Sequence, residues 1–227
     1  MGTAATHGPC EGQGRVCLFP PRRRRRERAV RDAAAGRAGV TGELIATVIV
    51  LAGATFIVFA QIASARAVAR RGAIVRVSGG RLAAIAPYFF WAPYVVAVAR
   101  VGPEADVPTA LRWIGLGLTV SGVAFSLWAI ATLGRHYDLV LEIHADHELV
   151  RDGPFAWTRH PVYTGLIVHF LGACLATGNL LLVAGTLFGT IPAFVVRARV
   201  EERLLRERFG PEYEAYAKRV GMLVPFL

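Results

Sequence analysis

Apolar residues in this chain gather into long runs instead of alternating or recurring along one helical face. The runs occupy residues 43–62, 82–99, 111–133, 162–177 and 180–196, with few charges inside any of them. A bilayer core about 30 Å thick takes about 20 apolar residues of helix, so the first three runs predict membrane spans. The last two are parted only by Gly178 and Asn179, a pair suited to a tight turn between antiparallel helices. Pro87 and Pro93 predict a kink in the second run, and Pro192 predicts a bend in the fifth. The pattern therefore predicts an all-α fold, a polytopic integral membrane helix bundle of about five transmembrane helices.

The polar stretches divide the chain into three parts. Residues 1–40 are rich in Gly, Pro, Ala and Arg, with arginine at every position of 22–26, and have no apolar face to bury; disorder is expected there. Residues 41–133 hold the first three spans. Residues 134–227 open with a polar segment, 134–160, expected to be an interfacial loop with some local structure, and continue through the helical hairpin. After the hairpin, residues 199–208 mix charges with Val200, Leu204 and Leu205 until Phe209-Gly210-Pro211, which predicts a C-terminal interfacial amphipathic helix.

Composition supports the lipid class: 54% of residues are hydrophobic, above the range of ordinary soluble domains. The formal charge of +10 comes from arginines flanking apolar runs, so membrane lipids account for it and nucleic acid does not. No signal peptide is expected, because the first apolar run begins only near Leu44 and is long enough to span. Cys10, Cys17 and Cys174 match no zinc or redox spacing. Placing the loop 66–81 and its five arginines in the cytoplasm satisfies the positive-inside rule but puts the N-terminus outside. Arginines 22–26 oppose that placement, a conflict that lifts if this segment is foreign to the natural protein or if the first run does not span.

Two clusters of ionisable residues lie at the ends of apolar runs, where such groups mark function by default. The first is Arg159-His160-Pro161-x-Tyr163; the second is Arg197-x-Arg199-x-Glu201-Glu202. The turn at Gly178 brings both to a similar depth, where they can form one polar pocket. Each alone has a plainer reading, the first as an anchor at the membrane entry and the second as a solvated charge run. His144-x-x-His147 with Asp138 and Glu148 suits a metal only loosely, and no metal is expected. Gly115-x-Gly117 and Gly185-x-x-x-Gly189 are read as faces for close helix packing.

The stretch from Leu149-Val150-Arg151-Asp152-Gly153-Pro154-Phe155 through Arg159-His160-Pro161-Val162-Tyr163-Thr164-Gly165, then Glu201-Glu202 and Phe209-Gly210-Pro211-Glu212-Tyr213, resembles the isoprenylcysteine carboxyl methyltransferase family. Phosphatidylethanolamine N-methyltransferases share parts of it. The resemblance covers residues 134–227; the first three spans match only in character. It implies an S-adenosylmethionine pocket formed by Arg159, His160, Pro161, Tyr163, Gly165, Glu201 and Glu202, closed by the C-terminal segment. It also implies a lipophilic or prenylated substrate entering from the bilayer; separately, the Ala- and Arg-rich composition points to a bacterial plasma membrane, with the site taken to face the cytoplasm.

A carboxylate nucleophile needs no general base for methyl transfer, only positioning and a cation to hold it. Arg197 and Arg199 are the candidates, with Arg197 favoured by the family's pattern. An amine nucleophile would need a base, and His136, His144 and His147 offer one without distinction. His160 and backbone N–H groups at the helix start are expected to meet the cofactor carboxylate, and Glu201 or Glu202 its amine or ribose. The alternatives are a membrane reductase of the sterol reductase type using a nicotinamide cofactor, and a membrane protein without enzymatic activity.

Overall fold

The structure is a computed structural model that describes residues 22–69, 74–77, 95, 99, 101–137, 142–144 and 148–224. It divides into two compact units, Met1–Glu43 and Leu44–Leu227. Helix α1 covers Arg22–Val68. Its opening replaces the disorder expected for residues 22–40: arginine, alanine and glutamate are strong helix formers, and no proline interrupts them after Pro21. The expected second span, 82–99, lies outside the described residues except for Val95 and Ala99.

The remaining helices are α2 (Thr109–Leu133), α3 (Pro161–Thr177), α4 (Leu180–Gly185), α5 (Ile191–Phe209) and α6 (Pro211–Ala217). Thr41–Ala67, Thr109–Leu133 and Leu180–Phe209 are long and apolar enough to cross a membrane, and Pro161–Thr177 is a shorter apolar helix. One stripe of α1, Ile45, Ile49, Phe56 and Ala60, is buried with Leu116, Val123 and Ile130 of α2 and Leu166 and Phe170 of α3. Opposite faces stay apolar and uncovered, including Leu51 at 60% and Phe188 at 84% exposure, as a lipid-facing surface requires. A small ribbon departs from the purely helical expectation: β1 (Ile74–Val77) pairs antiparallel with β2 (Glu142–His144).

Helices α2 and α3 meet backbone to backbone. A Cβ added at Gly122 would lie 2.5 Å from Gly165 O, and one at Gly172 would lie 2.5 Å from Thr119 N. Gly115 packs as closely on Ala176. Oil offers helices in a bilayer no preference for each other over lipid, so small residues that allow close approach and hydrogen bonding set the interface. Ser126 Oγ donates to Val162 O at 2.9 Å, and His169 Nδ1 lies 3.1 Å from Thr119 O. The packing expected at Gly115 is thus present. At Gly117 and Gly189 it is not: among the described residues nothing lies within 4 Å of an added Cβ, because both face away from their neighbours.

The hairpin forms as the sequence predicts. Gly178 ends α3 with φ of 70°, a conformation that favours glycine, and Asn179 caps α4 by accepting from Leu182 N at 3.0 Å. Asn179 Nδ2 also donates to Val101 O at 3.1 Å, tying the turn to the segment before α2. A π turn, Thr186–Thr190, precedes Pro192, whose ring would otherwise meet the carbonyl of Phe188. From Ile191 the helix runs to Phe209 without interruption, so the amphipathic segment expected as a separate interfacial helix is the continuation of the last span. Arginine, glutamate and leucine sustain the helix until Gly210, at φ of 51°, and Pro211 stop it.

Candidate active site

A 3₁₀ turn, Gly153–Ala156, leads the chain to the start of α3, where Pro161 occupies the first turn and costs no backbone donor. His160 is the residue before that proline, with φ of −122°, and its ring turns inward to 6% exposure. Its Nδ1 lies 3.3 Å from Glu201 Oε2 on α5, and its Nε2 lies 3.7 Å from Glu202 Oε1. That second separation is too long for a hydrogen bond, and Nε2 has no such partner among the described residues.

Tyr163, one turn into α3, donates its hydroxyl proton to Glu201 Oε1. Arg197 Nε donates to the same hydroxyl oxygen at 2.7 Å and lies 3.3 Å from Glu201 Oε1. The rings of His160, Tyr163 and Phe194 stack in series, with centroids 5.7 and 5.3 Å apart. Arg197 and Glu201 share one face of α5 because they are four residues apart, and Phe194 joins that face three residues earlier. The result is a carboxylate, a guanidinium, an imidazole and a phenol grouped at the end of apolar helices.

Glu202 has different surroundings. Arg159 Nε donates to its Oε1 at 2.7 Å, and Arg206 Nη2 lies 3.1 Å from Oε2. Arg159 Nη1 reaches past it to the carbonyl oxygens of Ala217 and Val220. The backbone N–H groups of Arg159 and His160 donate to Gly221 O and Met222 O at 2.9 and 3.1 Å. Those two backbone donors, which precede the first turn of α3, are engaged by the C-terminal segment. Thr158 Oγ1 and Thr164 Oγ1 add bonds to Met222 O and Leu223 O, both 2.8 Å.

The structure brings Arg159, His160, Tyr163, Arg197, Glu201 and Glu202 together. Pro161 is buried at the start of α3, and Gly165 faces Gly122 and Ser126 of α2, where its role is packing. Arg199 points the other way, exposed on the opposite side of α5 from Arg197. Of the candidate bases, His147 lies outside the described residues, as does Asp138 of the metal reading. Phe194, Arg206, Thr158 and Thr164 were not singled out from sequence. Arg206 was the most accessible of these, since it stands four residues after Glu202 on a helix. A cavity of about 160 Å³ lined by Phe59, Arg66, Ile130 and Gly134 shares no residue with the cluster.

Burial works against the charged imidazolium of His160, but Glu201 and Glu202 more than offset this, so its pKa stands above the ordinary value. His160 therefore keeps its second ring proton to a higher pH than a free imidazole does. Tyr216 is pushed up to about 12 by burial, and its hydroxyl donates to Phe155 O at 2.6 Å.

Residues 113–207, which contain the whole charged cluster, match the model of the isoprenylcysteine carboxyl methyltransferase family. A probable protein-S-isoprenylcysteine O-methyltransferase of Oryza sativa subsp. indica is 30% identical over 131 residues, covering 57% of this chain and 69% of that one. The protein-S-isoprenylcysteine O-methyltransferase of Saccharomyces cerevisiae is 33% identical over 116 residues, covering 50% of this chain and 48% of that one. A solved structure of the eukaryotic intramembrane Ras methyltransferase is 28% identical with a TM-score of 0.49, covering 66% of this chain and 54% of that one. The chain thus spans about half the length of the yeast protein and of the solved structure.

Proposed function

Since the chain belongs to the isoprenylcysteine carboxyl methyltransferase family, we propose that it is a membrane enzyme that methylates the carboxylate of an isoprenylcysteine or a similar lipid acid, with S-adenosylmethionine as methyl donor. The observation that carries this reading is the convergence of His160, Tyr163, Arg197 and Glu201 at the mouth of an apolar helix bundle. The relatives named above are methyltransferases, and nothing in them favours a reductase. The location that fits is a plasma membrane, with the cluster on the cytoplasmic side where the cofactor is available.

The residues fit the cofactor's chemistry. S-adenosylmethionine carries an ammonium and ribose hydroxyls that seek a carboxylate, and its own carboxylate seeks a donor. Glu201, 21% exposed at the side chain, supplies the acceptor, and His160 Nε2 is a buried N–H without a hydrogen-bond partner that supplies the donor. When bound, the sulfonium contributes a methyl group already activated toward nucleophiles. Arg197, held in one orientation by Tyr163 and Glu201, attracts and positions the substrate carboxylate by charge. A carboxylate is nucleophilic without losing a proton, so this reaction asks no general base of the cluster. Apolar helices around the cluster exclude water that would otherwise hydrate the carboxylate.

Binding of labelled S-adenosylmethionine to detergent-purified protein tests the reading. Binding should be lost in His160→Ala and Glu201→Gln, while Arg197→Ala should keep binding and lose turnover on a farnesylated cysteine analogue. Folded wild-type protein that binds no S-adenosylmethionine would overturn the proposal, and nicotinamide cofactor binding in its place would turn it toward the reductase.

A further inference from the structure

Glu201 and Glu202 are neighbours in sequence and share the His160 ring, whose Nδ1 lies 3.3 Å from the first and Nε2 3.7 Å from the second, yet their remaining partners differ. Glu201 contacts His160, Tyr163 and Arg197, groups borne by the start of α3 and by α5 itself. Glu202 is only 6% exposed and sits between the guanidinium groups of Arg159 and Arg206. Through these it reaches the C-terminal segment: Arg159 holds the carbonyls of Ala217 and Val220, and Arg206 Nε donates to Glu214 Oε1 at 2.9 Å.

We infer that the two glutamates divide the work, Glu201 meeting the bound ligand while Glu202 and Arg159 are positioning residues that fasten residues 218–224 across the start of α3. The inference rests on the cofactor reading of the site, and it moves Arg159 out of the set that touches the cofactor. Each nitrogen of the Arg159 guanidinium is already engaged, by Glu202 through Nε and Nη2 and by the two carbonyls through Nη1. A side chain so committed has little left to offer a ligand without releasing the strap.

Glu202 is the keystone because a buried carboxylate cannot lose a guanidinium cheaply; it would face low-dielectric surroundings with part of its compensating charge removed. Besides the exposed Arg151–Glu212 ion pair on α6, the other contacts that fasten this part of the chain among the described residues are neutral: Thr158↔Gly221 bridging, the hydroxyls of Thr158 and Thr164, and Tyr216 donating to Phe155 O. Charge-assisted bonds are roughly twice as strong as neutral ones, so the ionic latch governs how often the strap opens.

Hydrogen exchange of the purified full-length chain, read at residues 211–224, tests this without any ligand. Glu202→Gln and Arg159→Ala should raise exchange there about tenfold or more, whereas Glu201→Gln should leave it at the wild-type rate. Arg159→Lys, which keeps the charge but cannot span Glu202 and both carbonyls, should fall between. Tyr216→Phe, which leaves every charge in place, provides a mild loosening should the charged variants fail to fold, and should raise exchange less than tenfold. With S-adenosylmethionine, Glu202→Gln should speed dissociation by a factor similar to the rise in exchange, with the single-turnover rate of bound complex within about twofold of wild type. Unchanged strap exchange in Glu202→Gln, or equal loosening in Glu201→Gln, would overturn the division. So would faster strap opening with unaltered cofactor dissociation. Wild-type protein that binds no S-adenosylmethionine would instead defeat the cofactor reading, and the exchange data would still decide whether Glu202 latches the strap.

Discussion

Replacing Gly122 with alanine inserts one methyl group into the tightest part of the α2–α3 seam. The methyl carbon would lie 2.5 Å from Gly165 O and 2.6 Å from His169 N, both backbone atoms that no rotamer change can move aside. Ordinary contact begins near 3.4 Å, so the helices must separate by roughly 0.9 Å, the difference from 2.5 Å. Separation stretches the bond from Ser126 Oγ to Val162 O, 2.9 Å long, and the contact of His169 with Thr119 O at 3.1 Å. Overpacking costs about 1–3 kcal/mol, and each interhelical hydrogen bond in a membrane contributes about 0.6 kcal/mol. The sum is about 2–4 kcal/mol, reduced by up to about 1 kcal/mol because alanine favours helix over glycine. Gly117→Ala is the matched control: the same exchange on the same helix, with nothing within 4 Å among the described residues. Equilibrium unfolding of detergent-purified protein in sodium dodecyl sulfate, followed by helical circular dichroism, should show Gly122→Ala the less stable of the two by about 2–4 kcal/mol. Equal stability of the two variants would mean that the helices are not held in backbone contact.

Three further outcomes follow from the site and the hairpin. Folding raises the pKa of His160, so the stability it contributes is complete below its unfolded value near 6.5 and is lost as pH rises through the raised folded value. Melting temperature should therefore fall across that rise more steeply in wild type than in His160→Gln; parallel curves would exclude His160 as the titrating group. Arg199→Ala should leave turnover within about twofold, because Arg199 is exposed away from the cluster, whereas Arg197→Ala should cut it about 100-fold or more. Comparable losses in a steady-state methylation assay would return Arg199 to the site. Asn179→Ala should destabilise by about 2 kcal/mol, half from the lost helix cap and half from the unpaired Val101 carbonyl, and Asn179→Asp should retain the first half.

The membrane class and the meeting of α3 with α5 were legible in the sequence because both depend on local signals. Apolar runs mark spans, and Gly178-Asn179 reverses the chain, so His160 and Glu201 had to return to one end. The seam was less visible. Residues 115, 119, 122 and 126 on α2 and 165, 169, 172 and 176 on α3 repeat small or compact polar residues at the same spacing, apart from His169. A motif search at short spacing picks Gly117 and Gly189 instead, because it does not know which face has a partner. Hydropathy falls after Val196 while helix propensity does not, so the helix that carries the last apolar run continues to Phe209. Roles within Arg159, Glu201 and Glu202 were illegible for another reason: adjacent carboxylates look alike until the partners of each, Tyr163 and Arg197 for Glu201 and Arg159 and Arg206 for Glu202, are known.

Helix α5 carries Phe194, Arg197, Glu201 and Glu202 on a stretch with no break between Ile191 and Phe209. Its lower turns are fixed in oil and its upper turns in water, so the rod behaves like a dipstick whose immersion depends on the thickness of the sheet it pierces. The π turn at Thr186–Thr190 lies below that rod and cannot decouple its two ends. A change in bilayer thickness would act on α5 as one piece, and through it on the height at which Glu201 meets the shorter helix α3.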